Sequence, residues 1–181
     1  MEPSTKDIGK IFSMAAGVQA ATADDATAPA VRPVSVFLSQ VREALRMDIA
    51  FVSKIDAGRR AFQVVSASGS SDLAIEAGHS DPLMDTYCKL VVDGDLPAVV
   101  PDVRDIPSIA GLPITGRLRI RSYLSAPIVL WSGDIYGTVC CFSHSARPDL
   151  READADALKA IAAAIAAHID KRGSIEGLAW S

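Results

Sequence analysis

From Pro33 onward the apolar positions fall into short periodic groups. Val34, Phe37, Leu38, Val41 and Leu45 recur at helical spacing with Arg42, Glu43 and Arg46 between them, which predicts an amphipathic helix. The apolar-rich "IAFVSKI" and "AFQVVSA" then flank "DAGRR", whose Asp and Gly suit a turn, so two strands form a hairpin. Between about Gly69 and Gly116 the periodicity weakens. "DPLMDTYCKLVVDG" looks helical after Asp81 and Pro82, "PAVVPDV" carries a short strand, and "RDIPSIAGLPITGR" is a loop punctuated by prolines. A loop of that length inside a compact domain is usually functional or mobile.

The pattern sharpens again in "IRSYLSAPIVL" and "IYGTVCCFSH", which flank "WSGD" as a second hairpin. The last long segment should be helix over residues 150–172. Asp149 followed by Glu152 resembles a capping box, Asp154 and Asp156 add negative charge to the first turns, and Lys171 and Arg172 precede Gly173. Leu158, Ile161, Ile165 and Ile169 form one apolar row on this helix, and Ala157, Ala160, Ala164 and Ala167 form a second face of small residues, where another helix can approach closely. The order helix, two strands, irregular insert with a short strand, two strands, helix describes an α+β domain whose terminal helices cover one face of a central antiparallel sheet of about five to six strands.

Composition narrows the function. A chain of 181 residues, 49% hydrophobic, has enough apolar material for one real core. Residues 33–172 are expected to hold it, with residues 1–32 as a flexible or helical tail and 173–181 as a short second tail. A net charge of −4 with Lys and Arg scattered leaves no electrostatic footprint for nucleic acid. No leader-like segment and no window approaching the ~18 apolar residues of a membrane span is present, so the expectation is a cytoplasmic protein with no membrane partner. The three cysteines show no C-x-x-C spacing, no pair of histidines has ligand spacing, and neither a disulfide framework nor a metal site is expected. "GHSD" and "FSHSA" put Ser beside His without an orienting scaffold for hydrolase chemistry.

Adjacent cysteines on one strand must face opposite ways, so Cys140 and Cys141 serve different layers. Tyr136, Thr138, Cys140 and Phe142 share one face; Gly137, Val139 and Cys141 share the other, smaller and purely apolar, which suits packing under the helices. A turn of even length aligns Tyr123 and Ser125 with Cys140, and one of odd length aligns Leu124 and Ala126 instead; the letters leave both open.

"DTYCKLVVDGDLPAVVPDVRDIP", the hairpin "IRSYLSAPIVLWSGDIYGTVCCF" and the acidic start of the last helix together resemble a GAF domain, the small-molecule sensor module of bacterial signalling proteins, over roughly residues 33–172. The resemblance implies a ligand pocket in front of the sheet, roofed by the irregular insert, and a non-enzymatic role in signal transduction. Candidate ligand-binding residues are then Tyr87, Cys88, Asp102, Arg121, Tyr123, Thr138, Cys140 and Phe142. Each has a plainer alternative. Buried thiols at Cys88 and Cys140 are usually small hydrophobes, although Lys89 stands beside Cys88 as a group able to lower its pKa. Tyr87 and Tyr123 either offer hydroxyls to a ligand or close the core, Asp102 either touches a ligand or holds its own loop, and Arg121 pairs with an anionic ligand or with Asp105.

The ligand itself is unknown at this stage. Cyclic-nucleotide-binding relatives use a signature that includes asparagine, and this chain contains none. "DIP" at Asp105, Ile106 and Pro107 matches a phytochrome triplet, but "SIAGLPITGRLRIRSYL" supplies neither Cys nor His to hold a bilin, and no haem site is evident. The enzymatic alternative is a resemblance to free methionine-(R)-sulfoxide reductase, which needs an attacking and a resolving thiol; Cys88 and Cys140 are the available pair, yet the segment from Arg104 to Ser122, where that family places reactive cysteines, has none. The terminal helices suggest a homodimer and a route for the signal. "SIEGLAWS" after Gly173 encodes no output module, so the domain is expected to act through a signalling partner or as part of a longer protein.

Overall fold

The computed structural model describes residues 32–69, 71–73, 75–175 and 179–180. The tail expected at the N-terminus lies outside the described residues up to residue 31. A short strand β1 (Arg32–Pro33) pairs antiparallel with β8 (Ala179–Trp180), so both ends of the domain meet in a two-stranded ribbon. Helix α1 (Val34–Ala44) follows, then strands β2 (Ile49–Asp56) and β3 (Arg59–Ala67) joined by the two-residue turn Ala57-Gly58. The insert comprises β4 (Ser80–Pro82), a 3-10 turn (Leu83–Asp85), α2 (Tyr87–Asp93), β5 (Val99–Val100), a second 3-10 turn (Val103–Asp105), α3 (Pro107–Ala110) and α4 (Pro113–Arg117). The hairpin β6 (Ser122–Val129) and β7 (Ile135–Ser143) leads into α5 (Glu152–Arg172).

The main sheet has six strands in the order β4-β3-β2-β7-β6-β5, antiparallel throughout, which is the α+β architecture the sequence predicts. Helix α1 packs on β2 and β3, and α5 packs on β6 and β7. Phe37, Leu38 and Val41 of α1 meet Val52, Leu124, Val139 and Cys141 of the sheet and Leu158, Ile161, Ile165 and Ile169 of α5 in one buried cluster. Each of those side chains contributes about 1.5–3 kcal/mol of gross transfer free energy when fully buried. On the opposite face a second cluster gathers Phe51, Phe62, Tyr123, Cys140 and Phe142 of the sheet with Tyr87 and Cys88 of α2. Cys140 and Cys141 thus divide between the two layers as strand alternation requires.

Several expectations are corrected. Helix α5 begins at Glu152 rather than residue 150, and its start is closed by Asp154, whose carboxylate accepts the Arg151 backbone N–H at 2.8 Å. Asp149 does not cap it, because Arg147 engages that carboxylate through Nε (2.8 Å) and Nη2 (2.7 Å). Tyr136 is not on the Cys140 face: Ile128 pairs with Gly137 and Val129 with Ile135, so Tyr136 is the extra residue of a bulge and packs against the helix-side cluster. The proline loop is not irregular, since Pro107 and Pro113 each start a one-turn helix where a missing N–H costs nothing. Ala157 and Ala164 are buried by the chain itself, Ala160 half-buried and Ala167 exposed, so only part of the alanine face is available to a second helix. Gly137 is required by close approach: a Cβ there would stand 1.8 Å from the Ser53 carbonyl oxygen on the neighbouring strand.

Candidate functional site

The site lies where the insert folds over the cavity face of β2, β3, β6 and β7. Helix α2 is brief because Thr86 is extended just before it and Gly94, at φ 78°, ends it in the left-handed region. That single length of helix delivers Tyr87 and Cys88 to the sheet. The Tyr87 hydroxyl donates to Thr115 Oγ1 (2.6 Å), and the Thr115 hydroxyl donates to the Ile109 carbonyl (2.5 Å), so α2, α4 and α3 are tied by one relay. The Tyr87 and Tyr123 rings meet edge to face with centroids 5.0 Å apart. Burial raises both phenol pKa values, that of Tyr123 well above the ordinary range, so both remain neutral donors.

Beneath them Ser125 pairs with Cys140 and Tyr123 with Phe142, the alignment expected of an even turn; the turn itself, residues 130–134, is odd, and the extra residue Tyr136 shifts the register by one to give it. The Tyr123 hydroxyl donates to Cys140 Sγ (2.9 Å), Cys140 Sγ to Thr138 Oγ1 (3.3 Å), and Thr138 Oγ1 lies 2.8 Å from Ser53 Oγ and 3.2 Å from Cys88 Sγ. The neighbouring Cys140 side chain, opposed by burial, and then the charge of Arg60 lower the pKa of the Cys88 thiol below its ordinary value. Burial and the Cys88 neighbour push Cys140 well up, and burial lifts Cys141 to about 12.

The residue that sequence reasoning missed is Arg60. It is 1% exposed, gives Nη2–H to Asp81 Oδ2 at 2.5 Å, and stacks over the Phe62 ring 3.7 Å from its centroid. Arg117 Nη2 reaches the other oxygen of Asp81 at 2.8 Å, and His79 Nε2 lies 3.5 Å away. Burial pushes the Asp81 carboxyl up, but the Arg117 hydrogen bond and the charges of Arg60 and Arg117 outweigh it and hold Asp81 below the usual carboxylate range. Arg60 Nε and Nη1 have no hydrogen-bond partner among the described residues. The turn assignment of "DAGRR" hid Arg60, although running the alternation of β3 back from Phe62 puts it on the cavity face.

Around Arg60 is an inner cavity of about 10 Å³, room for one water molecule, lined by Phe51, Phe62, Tyr87, Cys88, Ile114, Leu118, Tyr123 and Phe142 among others. Phe62 and Leu118 separate it from an outer hollow of about 220 Å³ that Leu73, Ile75, His79, Asp81 and Arg117 complete. Of the candidate residues, Tyr87, Cys88, Tyr123 and Phe142 line the inner cavity, and Thr138 and Cys140 support its floor through the hydrogen bonds above. Asp102 and Arg121 stand apart. Arg121 binds Asp102 through Nε (3.2 Å) and Nη2 (2.7 Å), while Asp102 also accepts the Arg104 backbone N–H at 3.0 Å. The direct partner of Arg121 is therefore Asp102 and not Asp105, and these bonds hold the Asp102 carboxyl down to about 2. Among the described residues no group of three or more His, Cys, Asp or Glu could hold a metal ion, and no helix is long and apolar enough to cross a membrane.

Comparison with known proteins agrees with this architecture. Similar solved structures include the phycoerythrobilin-bound GAF domain of a cyanobacterial phytochrome, at TM-score 0.69 and 13% identity, covering 94% of this chain and 98% of that one. A second is the GAF domain of an Acinetobacter phosphoenolpyruvate-protein phosphotransferase, at TM-score 0.65 and 17% identity, covering 96% and 99%. A third is a phycocyanobilin-bound GAF domain of a cyanobacterial phytochrome, at TM-score 0.66 and 15% identity, covering 91% and 94%. Identities this low establish the fold alone. A comparison with curated proteins finds no match. The model of the GAF domain family matches residues 34–170, from the first residue of α1 almost to the end of α5, and the chain belongs to the GAF domain family.

Proposed function

We propose that this GAF domain is a non-enzymatic sensory or regulatory module of signal transduction that binds a small molecule beneath the insert and passes the state of that site to its terminal helices. The observation that carries this is the guanidinium of Arg60, buried in an aromatic cavity with N–H groups left over. A buried polar group without a partner costs about 1–3 kcal/mol, a cost that a ligand acceptor would remove. The solved bilin-bound relatives give precedent for a GAF domain that holds a small molecule. Transmission is supported by the sheet itself. Cys140 and Phe142 touch the cavity cluster while Val139 and Cys141, alternate residues of the same strand, touch the helix cluster. A ligand that repacks one layer acts directly on the other through a shared backbone.

Assembly as a homodimer through the terminal helices belongs to the same proposal, using the outer strip that the chain leaves uncovered, with Val36 on α1 and Ala163 and Ala167 on α5. Native mass spectrometry of freshly purified protein tests both points. The expected result is a dimer carrying a noncovalent mass that disappears on denaturation; bare monomer at all concentrations contradicts it. One observation favours the thiol enzyme: Cys88 and Cys140 both contact Thr138 Oγ1, at 3.2 and 3.3 Å. Turnover of free methionine-(R)-sulfoxide with a dithiol reductant, lost in both Cys88→Ser and Cys140→Ser, would establish that alternative.

A further inference from the structure

We propose that the cavity recognises a small monocarboxylate with an apolar or aromatic body, its carboxylate accepting the free N–H groups of Arg60 and its body lying past Leu118 toward the outer hollow. This inference rests on the sensory reading above and specifies the ligand of that same site. Five N–H groups surround a guanidinium, one on Nε and two on each terminal nitrogen. Asp81 takes up Nη2 only, and Nε and Nη1 are left without acceptors in a side chain 1% exposed.

The surroundings select charge and shape. Around the one carboxylate of Asp81 stand two guanidinium groups, Arg60 at 2.5 Å and Arg117 at 2.8 Å, so this cluster carries one positive charge more than it neutralises. His79 beside it can only add to that excess. A monoanion balances the charge, whereas a phosphate dianion would face a cavity with no second cation: the lining is otherwise Phe, Tyr, Ile and Leu with Thr86 and Cys88. Those two polar groups are engaged elsewhere, Thr86 Oγ1 on the Leu83 carbonyl and Cys88 Sγ on Thr138 and Ser53. No described residue therefore answers the remaining Arg60 donors, and charge-assisted bonds to a carboxylate do so strongly. The inner cavity of about 10 Å³ takes only the head of such a molecule; the body needs the outer hollow of about 220 Å³, with the half-buried Leu118 as the partition to be displaced.

The test is isothermal titration calorimetry of the full chain with hexanoate, benzoate and phenylacetate, each against its neutral amide at constant ionic strength. At least one acid is expected to bind at a single site, with its amide weaker by about tenfold or more, and Arg60→Gln is expected to lose that discrimination. Leu118→Trp, which fills the passage without touching the charge, should abolish binding while circular dichroism stays native. An amide that binds as tightly as its acid overturns the carboxylate assignment but leaves a small-molecule sensor in place. No saturable binding by any acid overturns it as well, and a noncovalent cargo in native mass spectrometry then decides separately whether the sensory reading survives. Should Arg60→Gln fail to fold, the acid and amide pair on the unaltered protein remains decisive.

Discussion

Removing Asp81 should damage the domain far more than removing its partner Arg60. Arg60 is 1% exposed and Asp81 5% exposed, joined at 2.5 Å. Asp81→Ala leaves a buried guanidinium with no acceptor for Nη2 in addition to Nε and Nη1, and breaking a buried pair this way costs about 3–5 kcal/mol. Arg60→Met leaves Asp81 held by Arg117 at 2.8 Å. It loses the stacking on Phe62, worth roughly 0.5–2 kcal/mol, and it relieves unpartnered buried donors, worth roughly 1–3 kcal/mol. It also gives up the 2.5 Å bond to Asp81, worth roughly 1.5–3 kcal/mol, so Arg60→Met should cost only about 1–2 kcal/mol. At roughly 3–4 °C per kcal/mol for a domain of this size, Asp81→Ala lowers Tm by about 10–20 °C and Arg60→Met by about 3–8 °C. Urea unfolding with a shared slope gives the same comparison at one temperature. The Asp81 carboxyl sits below its ordinary value of 3.8, so its stabilisation is complete above that pH and lost as pH falls through the folded value. The gap between parent and Asp81→Ala must therefore close in acid and not in alkali. Equal costs for the two substitutions, or an Asp81→Ala cost below about 1 kcal/mol, would refute the reasoning.

Gly137→Ala places a methyl 1.8 Å from the Ser53 carbonyl oxygen, and because the obstacles, Ser53 C and O and Lys54 Cα, are all backbone the strands must part; a loss of at least about 3 kcal/mol in urea unfolding is expected, and a loss under about 1 kcal/mol would show that β2 and β7 can slide. Alkylation by iodoacetamide at rising urea, mapped by peptide mass, should label Cys88 before Cys141, since Cys140 and the charge of Arg60 lower one thiol while burial pushes the other to about 12; the reverse order would contradict the charge pattern drawn for the cavity floor. Asp102→Asn should speed hydrogen exchange across residues 103–121, whose loop the carboxylate anchors through Arg104 and Arg121. It should also flatten the acid side of the stability profile between about pH 3.8 and about 2, because a carboxyl depressed to about 2 stabilises above its ordinary value and ceases to as pH drops through the folded one. Unchanged exchange would mean that Ile109 and Ile114 packing and the Tyr87–Thr115–Ile109 hydrogen bonds hold the loop without Asp102.

The division of Cys140 and Cys141 between layers was legible in the letters, because strand alternation has no exceptions within a regular ladder. The same rule misplaced Tyr136, since a bulge opposite Ile128 and Val129 breaks the count there, and nothing in "SGDIYG" announces it. The alignment of Tyr123 and Ser125 with Cys140 could be written down as one of two choices, but the odd turn at 130–134 would give the other one, and it is the bulge at Tyr136 that selects it. Pro107 and Pro113 read as interruptions and prove to be helix starts, a reversal that turns on whether proline stands inside or at the first turn. Asp149 had the right spacing for a cap, yet Arg147 competes for it and Asp154 takes the role. Arg60 shows the limit most clearly. Its burial depends on Asp81, 21 residues away on a three-residue edge strand, and a long-range pair of that kind leaves no local pattern.

The most direct test of the account is the Arg60 Nε–H signal in a nitrogen–proton NMR spectrum, assigned by its loss in Arg60→Lys and followed while phenylacetate is added. The account predicts that this proton moves downfield and saturates along the same curve as amide signals of α1 and α5, reporting occupancy and transmission together. An Nε–H that stays in place while phenylacetate saturates the protein, or that shifts with no response in either helix, would contradict it.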